Sequence, residues 1–103
     1  MKWIRVTHTE NIPVRQGRSV QIGPYAVAIF NLGGVFRAVE NSCPHRNGPL
    51  ADGIVAGNDV VCPLHTRRFS LETGQPLNQQ PASPCVRTFD TKVVDGIVMV
   101  CLS

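Results

Sequence analysis

The chain has no apolar run approaching the roughly 18 residues that a membrane-spanning helix needs. Its start, Met1-Lys2-Trp3-Ile4-Arg5, lacks the apolar centre of a secretory leader. These two absences predict a cytoplasmic protein with no membrane partner. A dense basic block is also missing. Ten Lys and Arg against seven Asp and Glu leave a net charge of +3, and apart from Arg67-Arg68 the basic residues are dispersed. That is too thin a footprint for nucleic acid. No window carries apolar residues at helical spacing over three turns, and no internal repeat or low-complexity tract appears. No glycine-rich nucleotide loop and no substrate-pocket signature is present, so the chain is not expected to act as a catalyst alone.

What remains is a sequence broken by turns. At 103 residues, with 43% apolar and 17% charged residues, it has the length and balance of one folded domain, residues 1–103. Strands are predicted over Trp3–Thr7, Arg18–Ile22, Tyr25–Phe30, Val35–Glu40, Asp59–Cys62, Arg68–Leu71, Arg87–Val94 and Ile97–Leu102. Gly23-Pro24, Asn31-Leu32-Gly33-Gly34 and above all Asp95-Gly96 sit between them as hairpin turns. A brief helical turn is possible near Thr9–Ile12. The fold class read from this is all-β, a small sandwich or barrel. Gln75–Pro84 holds three prolines and little apolar periodicity, and reads as a stiff, ordered loop.

Two short segments carry the chemistry. The first, about 43–50, is Cys43-Pro44-His45-Arg46-Asn47-Gly48-Pro49-Leu50. The second, about 62–69, is Cys62-Pro63-Leu64-His65-Thr66-Arg67-Arg68-Phe69. The pattern is C-x-H, sixteen residues, then C-x-x-H. Each half offers one thiolate and one imidazole to a common centre. A proline after each cysteine fixes φ and removes an N–H, which stiffens the stretch between ligands. Gly48 and Gly53 allow close backbone approach or left-handed conformations. Two cysteines and two histidines suit a tetrahedral zinc staple as well as a mixed-ligand [2Fe–2S] cluster. Zinc motifs usually pair like ligands within each half, whereas here each half pairs unlike ones, so the iron–sulfur reading leads and structural zinc is the alternative. In a reducing compartment four cysteines serve as ligands or free thiols in preference to disulfides.

Cys43-Pro44-His45 and Cys62-Pro63-Leu64-His65, with Phe69 and Gly74, resemble the Rieske [2Fe–2S] family. That resemblance implies a β-sandwich base and a small cluster-binding subdomain of two hairpin loops, covered by a proline-rich loop that Gln75–Pro84 would supply. It also implies one cluster per chain, with Cys43 and Cys62 on the inner iron and His45 and His65 on the iron nearer solvent. Two neutral imidazoles in place of two thiolates make the centre less negative and easier to reduce. The runs Cys43–Val55, Phe69–Gly74 and Cys85–Phe89 are similar to the small-subunit family of assimilatory NAD(P)H nitrite reductases. This implies an electron-transfer subunit working with a large catalytic subunit that carries flavin and sirohaem. The alternative is a Rieske ferredoxin serving an oxygenase and reductase pair in ring hydroxylation. Gly48 and Leu64 stand where high-potential relatives have a further cysteine pair, and Arg67 stands where they offer a serine hydroxyl. Fewer hydrogen bonds to sulfur imply a potential toward the lower end of the Rieske range.

Four further readings complete the picture. Cys85 and Cys101 are expected as buried thiols acting as small hydrophobes. His8 is expected at the surface, and Trp3 in the core. Arg46, Arg67 and Arg68 form either a solvated loop tip or a basic rim for an acidic partner.

Overall fold

The computed structural model describes residues 2–42, 49–63, 67–77 and 85–102. Ten strands were found there: β1 Trp3–His8, β2 Gly17–Ile22, β3 Tyr25–Asn31, β4 Phe36–Glu40, β5 Ile54–Ala56, β6 Asp59–Val61, β7 Arg68–Ser70, β8 Thr88–Phe89, β9 Thr91–Val94 and β10 Ile97–Cys101. Single 3₁₀ turns occupy Thr9–Asn11 and Leu50–Asp52. All pairings are antiparallel, in the orders β1-β10-β9, β2-β3-β4-β8 and β5-β6-β7. The all-β sandwich expected from the turns is therefore the architecture observed. Among the described residues no helix is long and apolar enough to cross a membrane.

The four-stranded sheet is the middle layer, and β3 shows why. Side chains alternate across a strand. Ala28 and Phe30 enter one apolar cluster with Val39, Leu50, Ala51, Val60, Cys62, Phe69, Leu71 and Val86. Val27 and Ile29 enter another with Ile12, Ile22, Phe36, Ala38, Phe89, Val98 and Val100. Both faces of β3 are covered, so Val27 to Phe30 reads as an unbroken apolar run and is fully buried. One cluster faces the three-stranded sheet that β10 centres. The other faces the short β5-β6-β7 sheet.

The turns behave as their residues dictate. Gly23 at φ 58° followed by Pro24 closes β2–β3, with glycine supplying the positive φ that this tight hairpin requires. Asp95 and Gly96 both lie at positive φ, 52° and 78°, the pair of angles a type I′ turn needs between β9 and β10. The predicted strand Arg87–Val94 is corrected: it breaks at Asp90 because the chain changes sheets there. β8 pairs with β4 and β9 with β10. The Asp90 carbonyl accepts the Cys101 N–H at 2.9 Å, and the Thr91 hydroxyl donates to the Phe36 carbonyl, which secures the corner. Trp3 is half-buried, not fully in the core, with the Lys92 ammonium 4.3 Å from its ring centroid.

Candidate cluster-binding end

Of the four expected ligands the structure describes Cys62. Cys43, His45 and His65 lie outside the described residues, as do Arg46, Gly48, Leu64 and positions 78–84 of the proline-rich loop. Among the described residues no group of three or more His, Cys, Asp or Glu side chains is placed to hold a metal. What can be traced is the frame from which those segments depart.

The small sheet sets that frame. Ile54 pairs with Val61 and Val61 with Arg68, so the next position along puts Gly53, Cys62 and Arg67 in line at one end of the sheet. The Cys62 N–H donates to the Arg67 carbonyl at 2.7 Å, which closes the neck of the second loop. Cys62 itself is 1% exposed, within the cluster formed around Phe30 and Phe69. Beyond β7 the ladder extends by one bridge, Phe69 to Pro76, and the Leu77 N–H donates to the Arg68 carbonyl at 2.9 Å. The proline-rich segment thus leaves from the same end. Its return is fixed by the Val86 N–H donating to the Gly74 carbonyl at 2.9 Å.

The first loop is tied by a side chain. Asn41, just after β4, accepts the Ala51 N–H on its Oδ1 at 2.7 Å. Its own backbone N–H donates to the Ala26 carbonyl at 2.8 Å. Gly53 lies at φ −76°, so its role is close approach and not a left-handed turn. A Cβ there would run into the Val61 carbonyl. Sequence reasoning singled out Gly53 and Gly74 but missed Asn41, because an asparagine at a strand end is ordinary turn chemistry until its partner ten residues on is known.

The outlying cysteines divide. Cys101 is buried, as expected, with a free thiol. Cys85 is corrected: its free thiol is exposed, because the adjacent Val86 takes the inward position against the Phe30–Phe69 cluster. Arg68 lies 3.8 Å from the Asp59 carboxylate across the β6–β7 pair, so its charge is partly offset. His8 is partly exposed, 3.2 Å from Glu10.

Four known proteins and families resemble this arrangement. The family model described as the Rieske [2Fe-2S] domain matches residues 2–90. The ferredoxin subunit of a 3-phenylpropionate/cinnamic acid dioxygenase from Photorhabdus laumondii is 35% identical over 104 residues, covering 100% of this chain and 97% of the relative. The ferredoxin in a complex of reduced oxygenase and oxidised ferredoxin of carbazole 1,9a-dioxygenase superposes with a TM-score of 0.85 at 27% identity, over 95% of this chain and 100% of that one. A proposed NADPH nitrite reductase small subunit superposes with a TM-score of 0.84 over 98% of this chain and 99% of that one, at 24% identity, a likeness of fold.

Proposed function

This chain belongs to the Rieske [2Fe–2S] domain family, whose cluster it carries for electron transfer, and from that premise we propose that Cys43, His45, Cys62 and His65 are the ligands. The bound cluster supplies one-electron chemistry. The observation that carries the assignment is the burial of Cys62 at the sheet end where the second and third loops depart. A thiolate ligand shielded by Phe69, Leu50 and Val86 fits an inner iron. Pro63, next along, is exposed, which is in keeping with His65 as a ligand of the iron nearer solvent.

The test is reconstitution with iron and sulfide. Two irons and two sulfides per chain, with an EPR signal on reduction, support the reading. Zinc without sulfide would support the structural-zinc alternative instead. In loaded protein, His45→Cys or His65→Cys should lower the potential by on the order of 100 mV, since thiolate replaces a neutral ligand, or abolish loading. A fully loaded variant with unchanged potential contradicts the ligand set.

For the partner, the reading best supported is a ferredoxin component passing electrons to a ring-hydroxylating oxygenase. Support comes from the dioxygenase ferredoxin relative at 35% identity across the whole chain. The nitrite reductase small-subunit reading rests on the residue runs Cys43–Val55 and Phe69–Gly74 together with a shared fold. Stopped-flow reoxidation by each purified acceptor separates the two. Fast reoxidation by the sirohaem subunit alone would reverse the preference.

A further inference from the structure

Resting on the cluster assignment above, we propose that Asn41 is a positioning residue for the first cluster loop. Each of the three loops has a neck tied by hydrogen bonds. The second is tied by Cys62 N–H to Arg67 carbonyl, and the third by Val86 N–H to Gly74 carbonyl, both backbone to backbone. The first is tied through a side chain, the Asn41 carboxamide oxygen on the Ala51 N–H at 2.7 Å. Both partners are held firmly. Asn41 is fixed to β3 by its own N–H on the Ala26 carbonyl. Ala51 is 8% exposed, and its carbonyl is wedged against Gly17, where a Cβ would come within 2.9 Å of the carbonyl oxygen and 2.6 Å of the Phe30 ring.

The bond also satisfies a donor that would otherwise be orphaned. Ala51 lies in the 3₁₀ turn Leu50–Asp52, whose first N–H groups have no partner within the turn. The residue before it, Pro49, makes no side-chain cap. Asn41 supplies the missing acceptor from a different part of the chain. It therefore couples the residue two before Cys43 to the residue three after Gly48. The bond thus ties together the two described ends that flank the segment bearing Cys43 and His45.

The experiment compares reconstituted wild type, Asn41→Ala and Asn41→Asp by the rate of cluster bleaching with a chelator, cluster EPR and hydrogen exchange over Leu50–Gly53. Asn41→Ala should bleach about tenfold faster, the equivalent of one ordinary buried hydrogen bond. It should also show shifted EPR and faster exchange at Ala51. Asn41→Asp keeps the acceptor, so it should bleach like wild type. Its added negative charge should lower the potential through space whatever the role of Asn41, so positioning is read from the EPR shift and faster bleaching of Asn41→Ala set against the wild-type bleaching of Asn41→Asp. Should Asn41→Ala not fold, Asn41→Ser gives the same contrast, because its shorter side chain withdraws the acceptor. Bleaching of Asn41→Ala at the wild-type rate overturns the proposal, as does Asn41→Asp bleaching as fast as Asn41→Ala. Failure of wild type to load a cluster would instead overturn the reading on which it rests.

Discussion

Gly74 lies at φ 79°, and the Val86 carbonyl occupies the space where its Cβ would be. Its N–H donates to the Ser70 carbonyl at 2.8 Å, and its carbonyl receives the Val86 N–H. An alanine here meets two penalties together, about 1–2 kcal/mol for the left-handed backbone and a further steric displacement of the Val86 peptide. Gly74→Ala should therefore lower the thermal midpoint by roughly 4–8 °C per kcal/mol lost, and should speed cluster release, since the third loop's return is what moves. A variant with wild-type midpoint and release rate would show that Val86 can shift freely. At this scale the sequence was informative where residue type limits choice. Gly53 was singled out for close backbone approach, and the Val61 carbonyl does stand where its Cβ would be. Asn41 and Cys85 were opaque. Whether an asparagine ties a loop, or a cysteine is covered, depends on which distant residue packs there, and no local pattern encodes that.

Turns made the hairpin elements legible, and the loss of turn signals explains what was missed. Asp95-Gly96 lay between two apolar stretches and gave the β9–β10 hairpin directly. β5 was not anticipated: it is three residues long, Ile54 is 71% exposed, and Ile54-Val55-Ala56 shows no alternation. The break at Asp90 was hidden because Arg87–Val94 has uniform strand character while its two halves pair in different sheets. The Asp95-Gly96 turn offers a test of conformation against space. A Cβ on Gly96 would come 3.1 Å from the His8 Nε2, a tight but movable contact. If backbone conformation governs, Gly96→Ala should destabilise by about 1 kcal/mol and Gly96→Asn by a few tenths, because asparagine tolerates positive φ better. Equal losses in both, relieved by His8→Ala, would show that the crowded ring governs instead. Chemical denaturation of the loaded protein reads either result.

Two apolar clusters on opposite faces of one sheet give the molecule two parts with unequal dependence on the cluster. Among the described residues, the cluster around Val27, Ile29 and Val98 draws no member from positions bordering the three loops. The cluster around Phe30 and Phe69 includes Leu50, Ala51, Cys62 and Val86, each at or next to a loop neck. The sheet it supports has strands of three residues each, at the short end of the usual range. A metal centre bound by two of these loops would contribute folding free energy to that half alone. Removing the cluster by acid and chelator should therefore abolish amide protection over residues 54–70 first. The β3 and β10 amides should remain protected, because β2, β4, β1 and β9 still flank them on both sides. Hydrogen exchange of loaded and stripped protein would show this as two separate opening free energies where the loaded protein has a narrower spread. Simultaneous loss of protection in all three sheets would mean that the middle sheet transmits cluster removal through both faces, and an unchanged pattern over 54–70 would mean that the Phe30–Phe69 packing holds that sheet without iron.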